Sequence, residues 1–104
     1  MKRTELSRHD LAIKDREVVV MRGEFPAGAA TPKHTHPGDE VAVVLEGALT
    51  VELDGKPPVT VKAGETFFVP AGAIHQGRNL GKTPTLVIST YIVEKGKPLV
   101  QLVK

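Results

Sequence analysis

The sequence predicts an all-β domain, built as a sandwich or a barrel of about eight to ten short strands. Three observations lead to this prediction. β-branched runs recur along the chain, turn residues separate them at regular intervals, and no stretch has the periodicity of a convincing helix. A chain of 104 residues suits one domain with a modest hydrophobic core.

The chain begins with a polar segment. Residues 1–16 show no regular pattern and are interpreted as an irregular N-terminal arm, followed by a single domain over residues 17–104. His9 in this arm is expected to be exposed to solvent and to take no part in a metal site. The β-branched run over residues 17–25 predicts the first strand, and Pro26 ends it.

The next stretch carries His34, His36 and Glu40, three side chains of metal-ligand type within seven residues. Histidines two residues apart lie about 200° apart on a helix but on one face of a strand, so a strand lets both share one ion. A tight turn is predicted at residues 37–39, after which Glu40 can return a carboxylate toward that ion. Asp39 is a competing carboxylate because of its position.

The run over residues 40–46 is apolar on both faces, which predicts a strand that is covered on both sides. If Glu40 points into the domain, the other face points outward with its three large aliphatic side chains, Val41, Val43 and Leu45. A symmetric homodimer is the expected cover for this face. A strand over residues 18–21 of the same chain is the alternative.

The second half of the chain predicts the remaining strands. Alternation of apolar and polar residues indicates half-exposed strands, and Gly and Pro residues mark the turns between them. Pro70 and Gly72 predict a type I turn, with proline second and glycine fourth. The predicted strands cover residues 49–53, 59–61, 66–69, 73–78, 86–93 and 99–103.

A third histidine, His75, lies in the predicted strand 73–78. A closed barrel can bring it opposite His34, His36 and Glu40. Three neutral imidazoles and one carboxylate suit a single divalent transition metal, namely Fe, Mn, Ni, Cu or Zn.

The spacing of these residues closely resembles the two sequence motifs of the cupin superfamily. The first motif corresponds to Gly28, His34, His36, Glu40 and Gly47, with every interval matched. The second motif corresponds to Gly64, Pro70, Gly72, His75 and Asn79, again with every interval matched. The resemblance covers residues 28–79. It implies a small antiparallel jelly-roll barrel that holds the ion with His34, His36, Glu40 and His75, and it selects Glu40 over Asp39.

Other residues are given roles by the motifs or by the residue pattern. The motif glycines and Pro70 are expected to shape turns, and Asn79 is expected to tie down a loop. Gln76 and Arg78 should point away from the ion if their segment is a regular strand. Tyr91 is expected to pack in the core rather than to reach the pocket. In some cupins, the residue that matches Glu40 also moves a proton.

The resemblance implies several possible activities. An octahedral ion with these four ligands leaves about two positions for water, dioxygen or substrate oxygens. We interpret the protein first as a metal-dependent oxidoreductase of the dioxygenase type, acting on a small oxygen-rich organic substrate. The alternatives are a metal-dependent isomerase, epimerase or lyase acting on a sugar or keto acid, and a small-molecule binding or sensing barrel without turnover.

The composition argues against other classes of function. The net charge is +2, the basic residues are scattered, and only three Phe and one Tyr are present, so neither a nucleic-acid partner nor a membrane partner is expected. No stretch approaches the roughly 20 apolar residues of a membrane span. The first residues do not read as a signal peptide, so a cytoplasmic location is expected; a leader already removed would change that expectation. Cysteine is absent, which excludes disulfides and thiolate chemistry.

Overall fold

The computed structural model describes every residue from Met1 to Lys104 and contains ten strands and no helix. No helical segment is therefore available to cross a membrane. The strands are β1 (Lys2–Asp10), β2 (Arg16–Phe25), β3 (His34–Thr35), β4 (Gly38–Glu46), β5 (Ala48–Leu53), β6 (Val59–Lys62), β7 (Thr66–Val69), β8 (His75–Arg78), β9 (Thr85–Glu94) and β10 (Gln101–Leu102). They form two antiparallel sheets, ordered β1-β2-β9-β4-β7 and β10-β3-β8-β5-β6. The predicted all-β fold is confirmed.

The first sheet is built around the two longest strands, β2 and β9. These strands pair without interruption from Arg16 opposite Glu94 to Phe25 opposite Thr85. β4 pairs with the other side of β9 and places Glu40 directly opposite Tyr91. Because residues directly opposite each other share one face of a sheet, Glu40 and Tyr91 point into the same interior.

The second sheet brings the histidines together. β3 has only two residues, yet its pairing with β8 places His34 directly opposite His75. On the other side of β3, β10 adds a short pair of residues, with Leu102 opposite His34. The register of β3 with β8 therefore makes neighbours of two histidines that are far apart in the sequence.

The apolar core lies between the two sheets. Alternation along β4 turns Ala42 and Val44 inward with Glu40, and both side chains are almost completely buried. Burial of a valine side chain contributes roughly 1.5–3 kcal/mol and that of an alanine methyl group less, so this packing fixes the orientation of β4 and of its glutamate. The main cluster consists of Phe25, Ala42, Val44, Leu49, Val51, Val61 and Val87.

The motif glycines occupy turns, as the sequence predicted. Gly28, Gly47, Gly64 and Gly72 all have positive φ angles. At Gly47 the restriction is twofold: φ is +74°, and a Cβ atom would lie only 2.7 Å from both the Pro84 carbonyl oxygen and Thr85 Oγ1. Only glycine meets both conditions at this tight connection between β4 and β5.

The turn after β7 differs from the prediction. The Ala73 amide donates to the Pro70 carbonyl at 3.1 Å, so Pro70 is the first residue of the turn and Gly72 the third. A φ of +74° at Gly72 fits the third position of a type II turn rather than the predicted type I turn. The turn still leads directly into β8 and His75.

The conformation predicted for the N-terminal segment was wrong over residues 2–10, which form β1. β1 pairs with β2 from Lys2 opposite Glu24 to Asp10 opposite Glu17, with an irregularity between Glu5 and Ser7. A polar sequence can form this edge strand because backbone hydrogen bonds to β2 hold it. The division of the chain into an arm and a domain at residue 17 stays a prediction.

The outward face of β4 is apolar, as the alternation predicted. Val41 and Leu45 are 47% and 48% exposed, and Val43 is partly buried. Residues 18–21 belong to β2, which lies in the same sheet with β9 between it and β4. They do not cover this face, so the alternative cover by the same chain was wrong.

Candidate metal centre

Three buried histidines converge between the sheets. His34 and His75 are paired across β3 and β8, and His36 follows β3 by one residue. The ring centroids lie 4.2 Å apart for His34 and His75, 4.8 Å for His34 and His36, and 4.9 Å for His36 and His75. One ring nitrogen from each histidine lies within 4.8 Å of the other two, a cluster of the kind that can hold a metal ion.

Backbone carbonyls fix the orientation of all three rings. In each histidine, Nδ1 contacts a carbonyl oxygen, which can only accept a hydrogen bond, so Nδ1 carries the ring proton and Nε2 keeps its lone pair. The acceptors are Pro32, Leu99 and Ala73, at 2.7, 2.7 and 2.9 Å from His34, His36 and His75. Metal-ligating histidines typically have such a partner on the second ring nitrogen.

Glu40 completes the arrangement from the other sheet. Its Oε1 atom lies 3.3 Å from His36 Nε2 and 3.6 Å from His75 Nε2, and the side chain is buried. The structure thus brings together the four residues that the resemblance named as ligands.

The contact between His36 and Glu40 tests whether these residues fit a metal. His36 Nε2 is buried and makes no hydrogen bond, although a carboxylate oxygen lies 3.3 Å away. With the ring proton on Nδ1, both facing atoms are acceptors, and two buried acceptors at this distance repel each other. A cation between them, either an extra proton or a metal ion, removes the repulsion. Neutral imidazoles and a carboxylate suit a divalent transition metal, so the donor set fits one.

The surroundings also set the charges in the cluster. Burial opposes ionisation of Glu40, but when an extra proton lies on Nε2 of His36 or His75, the resulting hydrogen bond to the carboxylate outweighs burial and holds the pKa of Glu40 below its usual range. Burial lowers the pKa of His34 to about 4, against a smaller opposing effect of its bond to Pro32. At neutral pH, Glu40 is therefore ionised and His34 is neutral, which are the forms that bind metals.

The competing carboxylate, Asp39, and the fourth histidine, His9, lie elsewhere. Asp39 is exposed on β4, where Oδ1 accepts a hydrogen bond from the Ala71 amide at 2.9 Å. His9 is exposed on β1, opposite Val18, and is not part of the cluster. The position of Asp39 agrees with the choice of Glu40 as the candidate carboxylate ligand. The position of His9 agrees with the expectation that it is exposed to solvent.

Three further predictions concern the margin of the site, and the one for Asn79 is confirmed. Asn79 is buried, and its side-chain amide donates to backbone carbonyls on both sides of the loop, including Phe25 at 3.0 Å and Thr83 at 2.8 Å. Gln76 donates to the Thr31 carbonyl, and Arg78 is paired with Glu52. Neither Gln76 nor Arg78 bonds to a histidine of the cluster, but Gln76 lines a cavity beside it, so the orientation of both side chains away from the ion stays a prediction.

Tyr91 packs in the core, as expected, but it also lines the cavity beside the cluster, so the expectation that it would not reach the pocket was wrong. It forms a buried cluster with Val19 and Val93, and its ring centroid lies 4.6 Å from that of His36. Burial raises the pKa of its hydroxyl well above the usual range, and the charge of Glu40 adds to the effect. The hydroxyl therefore keeps its proton at neutral pH.

A cavity of about 40 Å³ opens beside the cluster. His34, Glu40 and His75 lie on its wall, and most of the remaining lining is apolar. Ser89, Tyr91 and Arg3 also line it. Sequence reasoning missed Ser89 and Arg3, and it gave Tyr91 no place on the pocket wall. Ser89 could have been found from the alternation of β9, since it lies two residues before Tyr91, whereas Arg3 lies in a segment for which no strand was predicted.

Comparisons with known proteins agree with this fold. The family model for the cupin domain matches residues 21–98. A germin-like protein of Arabidopsis thaliana (subfamily 2 member 2) is 39% identical over 82 residues, covering 71% of this chain and 36% of that protein. The chain therefore spans only about a third of the length of this curated relative.

Two solved structures have the same architecture. An oxalate oxidase in complex with the substrate analogue glycolate superposes with a TM-score of 0.73 at 31% identity, covering 83% of this chain and 46% of its own. A DMSP lyase from Ruegeria pomeroyi superposes with a TM-score of 0.73 at 25% identity, covering 82% and 42%.

The family assignment follows from the sequence match and the structure together. The matched segment covers well over half of the chain and contains both motifs, from Gly28 to Asn79. The two sheets and the histidine cluster are arranged as the resemblance implied. This chain belongs to the cupin family.

Proposed function

We propose that this protein is a metal-dependent oxidoreductase that acts on a small, oxygen-rich organic molecule. In this proposal, one divalent transition metal is held by His34, His36, Glu40 and His75. The observation that carries it is the unpartnered, buried Nε2 atom of His36, which faces the Glu40 carboxylate inside a ring of three oriented imidazoles.

The chain's own residues prepare this site for an ion. The three Nδ1–H bonds to backbone carbonyls hold the rings so that the Nε2 lone pairs face inward, which lowers the entropy lost on binding. Glu40 supplies a negative charge that offsets part of the charge of a dication. Since its pKa lies below the usual range, Glu40 is a weak proton acceptor and acts mainly as a ligand. Proton transfer by Glu40 stays a prediction.

The cavity limits what can react there. When bound, an ion of Fe, Mn, Ni or Cu would supply Lewis acidity toward substrate oxygens and a route for electrons from the substrate to dioxygen. The apolar part of the wall excludes water from the site, and its small volume admits a molecule of only a few heavy atoms. Tyr91 remains protonated on this wall and can serve as a hydrogen-bond donor but not as a base.

The similarity to an oxalate oxidase, at 31% identity over most of this chain, supports an oxidation of this kind. A second candidate function is a metal-dependent lyase, which the similarity to a DMSP lyase at 25% identity favours. The two differ in their requirements: the oxidoreductase consumes oxygen and needs a redox-active ion, whereas the lyase works anaerobically and tolerates Zn.

Elemental analysis followed by oxygen-uptake assays tests the proposal. The purified protein is reconstituted separately with Fe(II), Mn(II), Ni(II), Cu(II) and Zn(II), and each form is assayed with a panel of hydroxy acids, diketones and phenols. We expect one metal per chain in the wild type and in His9→Ala, and loss of most metal in His75→Ala. We also expect oxygen uptake with at least one redox-active metal and none with Zn. Turnover without oxygen, undiminished with Zn, would instead establish the second candidate.

A further inference from the structure

Arg3 is the one arginine or lysine on the wall of the cavity. It lies near the start of β1, directly opposite Gly23 of β2, which has no side chain to occupy the same face. Its Nη2 atom lies 3.5 Å from Nε2 of His34, the nitrogen that the proposed function gives to the metal. The guanidinium is thus placed beside the proposed ion, although Arg3 lies outside the segment matched by the cupin family model.

This guanidinium has no carboxylate partner. Other basic side chains are paired, for example Arg8 with Glu17 at 2.6 Å and Arg78 with Glu52 at 3.4 Å, but no acidic group lies within 4.0 Å of Arg3. Its one side-chain contact, at 3.5 Å, is longer than a normal hydrogen bond. A guanidinium has five donors, so a half-buried arginine with this single contact has most of its donors free of protein partners.

Metal binding would remove even this contact. His34 Nε2 cannot accept a hydrogen bond from Arg3 while its lone pair binds an ion. The ion and the guanidinium would then face each other as two positive groups at one end of the cavity. The only carboxylate on the cavity wall, Glu40, lies against His36 and His75, so it is not free to neutralise Arg3.

An anionic ligand between these two positive groups would be attracted to both and would offset their repulsion. We propose that Arg3 binds the carboxylate of the substrate, so that the substrates of this protein are small carboxylic acids of only a few heavy atoms. The planar guanidinium matches a carboxylate with two parallel hydrogen bonds, and an apolar wall accommodates the short carbon skeleton. This inference rests on the proposed function, because it takes the same cavity as the substrate site.

Titration calorimetry with a charged and a neutral ligand of equal size tests the role of Arg3. Glycolate and glycolamide differ only in the carboxylate, and protein loaded with Zn(II) lets binding be measured without turnover. We expect wild-type protein to bind glycolate more tightly than glycolamide. Arg3→Gln should weaken glycolate binding by about 10- to 100-fold, and Arg3→Lys by less, while glycolamide binding stays within about threefold. Lys2→Gln removes the same charge from the neighbouring, exposed position and should change neither affinity.

The outcomes separate the two proposals. Metal content and the midpoint of thermal unfolding are measured for each variant, so that a loss of fold is not mistaken for a loss of affinity. If glycolate binds equally to the wild type and to Arg3→Gln, or binds to neither metal-loaded nor metal-free wild type, the inference about Arg3 is overturned. If the wild type retains no metal after loading, the proposed metal centre fails, whatever Arg3 does.

Discussion

Replacing Glu40 with Gln removes a charge from the centre of the proposed site while keeping the shape of the side chain. Glu40 is only 5% exposed, so water has little access to replace a lost ligand atom on the metal. A neutral amide oxygen is a poorer ligand for a divalent ion than a carboxylate. We expect metal affinity to fall by at least about 100-fold, which corresponds to about 2.7 kcal/mol.

That loss is visible in the stability of the metal-bound protein. Binding to the folded state stabilises it in proportion to the logarithm of the affinity, so about 2.7 kcal/mol of metal-dependent stability should disappear. For a domain of this size, the midpoint of thermal unfolding should fall by about 10–20 °C at the same metal concentration. Scanning calorimetry with and without metal measures this change.

Asp39→Asn is the matched control. Asp39 is the adjacent acidic residue, but it is exposed and accepts a hydrogen bond from the Ala71 amide, which an asparagine oxygen can also do. Its replacement should leave metal affinity unchanged and alter stability by less than about 1 kcal/mol. Wild-type metal affinity in Glu40→Gln, or a large loss in Asp39→Asn, refutes the assignment of the carboxylate ligand.

Further predictions concern removal of the metal, the stability at acidic pH, the loop held by Asn79 and the outward face of β4. Chelation of the metal should stop turnover and lower the midpoint of thermal unfolding; turnover that survives contradicts the mechanism. Because burial lowers the pKa of folded His34 to about 4, below the roughly 6.5 of a histidine in an unfolded chain, the unfolded chain takes up the proton first as the pH falls. Metal-free stability in urea should therefore fall from about pH 6.5 toward pH 4, and a flat profile argues against this. Asn79→Ala removes a buried amide that bonds several backbone groups and should cost about 2–4 kcal/mol in urea denaturation without altering metal stoichiometry. Val41→Glu should weaken a homodimer that covers this exposed apolar face, whereas a wild-type mass of 11.2 kDa at all concentrations in sedimentation equilibrium contradicts a dimer.

The fold and the first three ligand candidates, His34, His36 and Glu40, were predictable because both depend on local patterns. Alternation along β4 set which face carries Glu40, and the two-residue spacing of His34 and His36 required an extended backbone. His75 could be placed only through its family motif, since its contact with His34 arises from pairing between β3 and β8. The motif spacing supplied long-range information that the residue pattern alone lacked.

The supporting contacts were predictable only in part. His34 and His75 each bond to a carbonyl two residues earlier in the chain, a local arrangement. His36 instead bonds to the Leu99 carbonyl, which is 63 residues away, and no pattern in the sequence indicates that partner. The position of the C-terminal segment against the site had to come from the structure.

β1 and Arg3 were missed for one physical reason. Strand prediction relies on a buried apolar face, and β1 has almost none, since its residues are mostly exposed or only partly buried. The hydrogen-bonding edge of β2 holds β1 in place, and this edge is a property of the assembled sheet. Without the strand, no argument from the sequence could place the Arg3 side chain in the cavity.

Anomalous X-ray scattering from crystals of metal-loaded protein tests the central claim most directly. Data collected on both sides of the absorption edge of the loaded metal show where the ion lies and which metal it is. The account predicts a single strong peak inside the domain, at about 2.0–2.3 Å from the Nε2 atoms of His34, His36 and His75 and from the Glu40 carboxylate. A peak bound only by surface groups, or no peak at the histidine cluster in crystals that contain the metal, would contradict it.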